Sequence, residues 1–186
     1  MNEKRYEYLS GNLVYMDSPD EPHNDVNARL VTIFNLYLGN TPYKMFGTAH
    51  DVVFDNNSMC VPDFFIVCDR SKLSGKKCYG SPDFIIEILS PFNQENDLVI
   101  KKEIYQQHGV QEYWIIDPRK KNLRIYLLHE DYIEHFYEYP DMQISNTILL
   151  PQLPIRWKYV FGDCTHLEGS LYVHEVLLLS FQFRKD

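Results

Sequence analysis

The stretch Pro82-Asp83-Phe84-Ile85-Ile86-Glu87-Ile88-Leu89-Ser90-Pro91 decides how the chain is read. From Phe84 to Leu89 the side chains are almost all apolar, and proline-containing turn signals close the run at both ends. A short apolar run without alternation marks a strand covered on both faces, as at the centre of an α/β sheet. Glu87 interrupts it. A carboxylate without a partner in low dielectric costs several kcal/mol or must hold its proton, so Glu87 requires a partner from another part of the chain.

Working outward, Leu98, Ile100, Ile104 and Tyr105 predict a helix from about Asp97 to His108, ended by Gly109 as a left-handed stop. Glu112 to Pro118 reads as a second buried strand, and strand, helix, strand imply a crossover between parallel neighbours. Leu123–Leu128 and Tyr132–Tyr139 then add an antiparallel β-meander. Upstream, Tyr6, Tyr8, Leu13 and Tyr15 alternate around Ser10-Gly11-Asn12 and predict a hairpin. Val26, Leu30, Ile33, Phe34 and Tyr37 recur at helical spacing between Pro22 and the stop signal Gly39-Asn40. Strands are expected around Tyr43–Phe46, His50–Phe54 and Val61–Cys68, a basic loop over Arg70–Gly80, and a strand or short helix over Leu171–Phe183.

The composition suits one domain: 186 residues, 45% hydrophobic and 24% charged, exclude both disorder and a multidomain assembly. Residues 1–161 are read as that domain, and 162–186 as an extension packed on it or used as an oligomer contact. The net charge of −8 argues at first sight against nucleic acid, because phosphate neutralisation by Lys and Arg supplies most non-specific affinity. Locally the balance reverses. Residues 70–124 hold ten of the 18 Lys and Arg but seven of the 26 Asp and Glu, which makes Lys72, Lys76, Lys77, Arg119, Lys120 and Lys121 candidate DNA phosphate contacts. No signal-like opening and no apolar run near the ~20 residues of a membrane span is found, so a cytoplasmic location away from membranes is expected. Cys60, Cys68, Cys78 and Cys164 lack zinc-type spacing and are expected to be reduced and structural. With no H-E-x-x-H, G-x-G-x-x-G or Walker pattern, zinc hydrolases and nucleotide cofactors have no support.

The chemistry converges on carboxylates. Asp63 stands at the mouth of the apolar run Phe64–Val67 and Glu87 lies in a buried strand; on adjacent strands they would repel, and a divalent cation with oxygen ligands, Mg2+ or Mn2+ in its place, is the usual remedy. Asp97, Lys101 and Tyr105, at i, i+4 and i+8, share a helical face from which Lys101 can reach that pair. Two carboxylates, an ammonium and a metal are equipment for phosphodiester hydrolysis. Asp83 repeats the Pro-Asp dipeptide but lies four residues from Glu87 on one strand, roughly 13 Å away and too far to share a small cation.

Pro62-Asp63, Glu87-Ile88-Leu89-Ser90-Pro91, Asp97-x3-Lys101-x3-Tyr105 and Gly109-Val110-x-Glu112-Tyr113-Trp114-Ile115-Ile116-Asp117-Pro118 resemble the bacterial family of restriction endonuclease-like proteins within the PD-(D/E)XK nuclease superfamily. The resemblance implies a restriction-endonuclease-like α/β (α+β) core, a mixed sheet flanked by helices, and Mg2+-dependent endonuclease activity on DNA by a homodimer. It assigns Asp63 and Glu87 as metal ligands, the backbone carbonyl of Ile88 as a further ligand, and Lys101 as the motif lysine. The simplest superfamily pattern places that lysine two residues after Glu87, where this chain has Leu89, so the basic function falls to the following helix. Lys102 is the weaker candidate there, pointing about 100° away around the helix. His23 matches a position where the family often has histidine.

Each residue also has a structural alternative: a metal-free Glu87–Lys101 salt bridge, a turn carboxylate at Asp63, a solvated lysine at position 101, a helix-entry residue at His23, and core aromatics at Tyr105, Tyr113 and Trp114. The competing functions are a DNA-binding or assembly module of the same fold without turnover, and a structural domain pairing through its Tyr-rich meander.

Overall fold

A computed structural model of the chain describes residues 5–39, 41–47, 50–92, 94–128, 133–142, 149–150, 153 and 155–182, with side chains in the last helix described as far as 178. The expected features at Asn40, Asn93, Tyr132 and Phe183 lie outside the described residues. The expected hairpin is present as β1 (Arg5–Leu9) and β2 (Asn12–Met16), and the first helix, α1, spans Glu21–Leu38. Asp20 caps α1 by accepting from the His23 backbone N–H at 3.2 Å, and Pro22 sits in its first turn, where a missing N–H costs nothing. Then come β3 (Lys44–Gly47), β4 (Asp51–Val53), β5 (Met59–Cys60), β6 (Phe64–Val67), β7 (Leu73–Ser74), β8 (Lys77–Tyr79) and β9 (Phe84–Ile88). A helical segment begins as a wide π-type turn over Asn96–Lys101 and continues as α2 (Lys102–Gln107). The remaining elements are β10 (Glu112–Asp117), β11 (Asn122–Leu127), β12 (Ile133–Glu138), a short α3 (Trp157–Val160) and α4 (His166–Gln182).

Among the described residues the strands form two six-stranded sheets. The larger, in the order β12-β11-β10-β9-β6-β3, has β9 and β10 as its parallel pair and every other neighbour antiparallel. The expected meander therefore extends the central sheet as β10, β11 and β12. The smaller sheet runs β2-β1-β5-β4-β8-β7.

Strand periodicity sorts the core into two layers. Phe64, Ile66, Phe84, Ile86, Ile88, Trp114 and Ile116 face one side of the large sheet and pack under α1, α3 and α4. Their odd-numbered neighbours Phe65, Val67, Ile85, Tyr113 and Ile115 face the small sheet and α2, meeting Leu9, Cys60, Cys78, Ile104 and Tyr105. β9 is thus covered on both faces, which is why its sequence shows no alternation.

Two expectations need correction. Arg70–Gly80 is a tight turn followed by the β7–β8 hairpin, because Leu73 and the fully buried Cys78 point into the second layer and Gly75, at φ +59°, supplies the left-handed residue between them. The segment after Gly162 is a long helix. Tyr172 and Val176, one turn apart, bury against α1 and α3, and Gly169 lies so close to the Tyr159 ring that a Cβ would stand 3.2 Å from it. No helix among the described residues is long and apolar enough to cross a membrane.

Phe34 joins α1 to the sheet, with ring centroids 5.0 Å from Phe64, 5.8 Å from Phe84 and 6.2 Å from Trp114. Phe34→Ala is expected to destabilise the protein by about 3–5 kcal/mol. A chemical-denaturation midpoint indistinguishable from wild type would show that α1 does not carry the core.

Candidate active site

Register places the first two carboxylates. Phe64 pairs with Ile86 and Phe65 with Ile85, so continuing the antiparallel register by one residue sets Asp63 opposite Glu87, both on the face toward the small sheet. Each side chain is tied to the other's backbone: the Asp63 N–H donates to Glu87 Oε2 at 3.3 Å, and the Ile88 N–H donates to Asp63 Oδ2 at 2.7 Å. Asp83, the rival carboxylate, instead accepts from the Cys68 N–H at 2.7 Å.

His23, from the first turn of α1, reaches the same place. Its Nε2 is 3.0 Å from Asp63, its side chain is buried, and its Nδ1 has no partner among the described residues. The residue is therefore more than a helix-entry position.

The π-type turn over Asn96–Lys101 supplies the other half of the site, in keeping with the enrichment of such turns at functional positions. Lys101 Nζ lies 3.0 Å from Glu87 Oε1, 3.0 Å from Asp97 Oδ1 and 2.9 Å from Glu7 Oε1. Tyr105, fully buried, donates its hydroxyl to Glu87 Oε1 at 2.8 Å, and Tyr113 donates to the Asp97 backbone carbonyl at 3.0 Å. Lys101 is 4% exposed, which rules out a solvated helix lysine. The Glu87–Lys101 salt bridge posed as an alternative is present, within a larger cluster. Lys102 points elsewhere, over the Tyr126 ring.

Glu7 was not anticipated from the sequence. The alternation of Tyr6, Tyr8, Leu13 and Tyr15 draws the eye to the aromatic face of the hairpin, but that face points outward, with Tyr6, Leu13 and Tyr15 exposed. Glu7 and Leu9 point in. The available signal was a charged residue sharing strand parity with an apolar one.

The candidate basic residues are largely engaged already. Lys72 donates to the Ser81 carbonyl, Lys77 pairs with Asp51, Lys121 grips both oxygens of Asp163, and Arg119 pairs with Asp20 at the start of α1. Lys120 is well exposed, 3.7 Å from Asp117, and Lys76 is exposed. His108 closes the end of α2, with Nδ1 2.8 Å from the Ile104 carbonyl and Nε2 3.0 Å from Asp55.

Charge is out of balance in this enclosure. Glu7, Asp63, Glu87 and Asp97 face Lys101 and His23, and all but the half-buried Asp63 are buried. Burial, reinforced by the neighbouring carboxylates and only partly offset by Lys101, raises Glu87 well above the usual carboxylate range and pushes Asp97 up to about 6. Burial opposes protonation of His23, but the hydrogen bond and charge of Asp63 outweigh it and the net direction is upward. Lys101 likewise pays for desolvation and is more than compensated by Asp97, Glu7 and Glu87, so it stays protonated. Asp97 Oδ1 touches Lys101 without hydrogen-bond alignment, which leaves it the least satisfied oxygen of the group.

A carboxyl whose folded pKa is raised holds its proton where the unfolded chain has released it. The folded state then binds more protons between about pH 4 and the folded value, and stability falls as pH rises through that window. In EDTA, Asp97→Asn is expected to flatten the decline in melting temperature between about pH 4 and 6 and to raise it at neutral pH. An unaltered slope would count against a surplus of buried negative charge.

Among the described residues, no group of three or more His, Cys, Asp or Glu side chains is arranged to hold a metal ion. The pairing of Asp63 with Glu87 supplies two carboxylates, and a Mg2+ that keeps most of its waters needs only one or two. By fold, the chain is similar to a solved structure described as a putative nuclease belonging to DUF820 from Anabaena variabilis, with a TM-score of 0.73, 21% identity, and coverage of 84% of this chain and 89% of that one. By sequence, it is 24% identical over 136 residues to the uncharacterized protein slr1290 of Synechocystis, spanning 69% of this chain and 68% of the relative. A family model described as "Uma2: Putative restriction endonuclease" matches residues 1–157, which takes in both sheets, α1, α2 and every residue of the carboxylate–lysine cluster. The chain belongs to the Uma2 family and has its restriction-endonuclease-like fold.

Proposed function

We propose that the protein is a metal-dependent endonuclease that hydrolyses DNA phosphodiester bonds. The observation that carries this reading is the facing pair Asp63 and Glu87, joined by the buried ammonium of Lys101 at 3.0 Å from Glu87. Asp63 and Glu87 would hold Mg2+ or Mn2+, with the Ile88 carbonyl as an additional donor. Their chemistry fits such an ion, because four carboxylates meet one lysine and one histidine in a largely buried space. Bound there, the cation would supply Lewis acidity toward a phosphoryl oxygen and the attacking water. Lys101 keeps its proton and sets a positive charge beside Glu87, where negative charge develops on the phosphorus oxygens. Tyr105 donates to the same Glu87 oxygen that meets Lys101 and helps fix that carboxylate, and His23 does the same for Asp63.

The family's description and the usual habit of the fold are what support duplex DNA as substrate and a homodimer as the acting species. Lys76 and Lys120, the least engaged of the candidate basic residues, are the first positions for phosphate contacts. A second reading is a DNA-binding or assembly module that has lost turnover. It is favoured by the ion pairs of Lys101 with three carboxylates, which already surround its charge.

Plasmid cleavage in Mg2+ or Mn2+ separates the two. Glu87→Gln and Lys101→Ala are each expected to lose about 100-fold or more in rate, and equal residual activity in all three proteins would identify a contaminant and end the nuclease reading. Calorimetric Mn2+ binding that Asp63→Ala abolishes is expected in parallel. Absence of any Mn2+ heat in wild type favours the module.

A further inference from the structure

Lys101 is held by carboxylates from three separate elements: Glu87 from β9, Asp97 from its own helical segment and Glu7 from β1 of the small sheet. An ammonium has three N–H donors, and three acceptors lie at 2.9–3.0 Å. Only Glu87 belongs to the pair that would hold the metal. Glu7 is the unexpected member. It is 4% exposed, and the oxygen that meets Lys101 also accepts the backbone N–H of Val61 at 2.8 Å, two residues before Asp63. One carboxylate oxygen therefore ties together β1, the strand entry that carries Asp63, and the lysine.

Packing alone does not account for a carboxylate at this position. β1 is already secured by its ladder with β2, its bridge to β5 and the burial of Leu9. A buried ion pair is often no better for stability than uncharged side chains of similar size, so a merely structural contact at position 7 would be served by a neutral acceptor for the Val61 N–H. What a carboxylate adds is direction. Lys carries its charge on a flexible four-carbon stem, and a point charge on such a stem acts on a reacting group only if its orientation is fixed.

We propose that Glu7 is a positioning residue for Lys101: together with Asp97 it holds the ammonium by charge, so that its hydrogen bond stays aimed at the Glu87 edge of the site, where the scissile phosphate would lie. The inference rests on the nuclease reading for the reaction it serves. The clamp itself is a property of the folded chain and is testable without catalysis.

A double-substitution cycle reads it. Glu7→Gln keeps the size of the side chain and an acceptor for Val61 but removes the charge. In the wild-type background it is expected to lower kcat on plasmid DNA by about 10- to 100-fold with KM unchanged. In a Lys101→Ala background the same change is expected to alter the residual rate by less than about 2-fold, because the group it acts through is gone. Equal losses in both backgrounds, or no loss in wild type, overturn the proposal. Glu7→Asp, which restores the charge with a shorter reach, is expected to recover part of the rate, and stands in for Glu7→Gln should that variant fail to fold.

The second readout is the Lys101 side-chain ammonium resonance in 15N-labelled protein. A slowly exchanging signal is expected in wild type and its loss in Glu7→Gln; an identical signal in both overturns the clamp. If wild type cuts no DNA while the ammonium signal responds to Glu7→Gln, the nuclease reading fails and the clamp stands.

Discussion

The ammonium of Lys101 holds the two layers of the protein to one another at the point where each is least apolar. Glu87 comes from the centre of the large sheet, Glu7 from the small sheet, and Asp97 from the turn that leads into α2. Without that cation, three buried carboxylates from three elements would face each other, and Asp63 would lie beside them. The large sheet can place Glu87 where it does only because the lysine is delivered over it, and the lysine is delivered by a helical segment whose first turn is widened.

The same arrangement leaves the site with more negative than positive charge. Lys101 and His23 supply at most two positive charges against four carboxylates, so the enclosure is electrostatically unfinished. A raised Glu87 and a raised Asp97 express that surplus in protons. The aromatic hydroxyls are arranged around it: Tyr105 binds Glu87 and Tyr113 binds the Asp97 backbone, so two fully buried rings of the second core layer also satisfy polar groups at its edge. Core and site are the same set of residues read from two sides. Cys60, fully buried in that layer, has its thiol pushed up by burial and belongs to the packing rather than to the chemistry.

Much of the frame was legible. The unbroken run at Phe84–Leu89, the helix stopped by Gly109 and the second apolar run at Glu112–Asp117 gave a parallel pair joined by a helix, and the family signature lies on those elements. The carboxylates and lysine could be named because Glu87 is conspicuous in an apolar strand and Asp97, Lys101 and Tyr105 share a helical face. Legibility ended where function depended on a face pointing the unexpected way. The aromatic alternation of the first hairpin concealed Glu7, since solvent-facing tyrosines look like a buried stripe when counted along the chain. The β7–β8 hairpin was masked by its lysines, and α4 by an apolar run that a strand would fit equally well.

By itself the sequence determined which segments are strands and helices in the centre of the chain, and that a carboxylate at position 87 had to find a partner. These follow from local periodicity and from the cost of burying charge, both of which are properties of short stretches. Only the tertiary structure decided that Asp63 lies opposite Glu87, that His23 closes on Asp63, and that Glu7 completes the ring around Lys101. Those pairings bring together residues separated by 24, 40 and 94 positions, through strand register and the stacking of one sheet on another. Neither leaves a trace in local spacing, because register is fixed by which face of each strand is buried and stacking by the shape of the whole core.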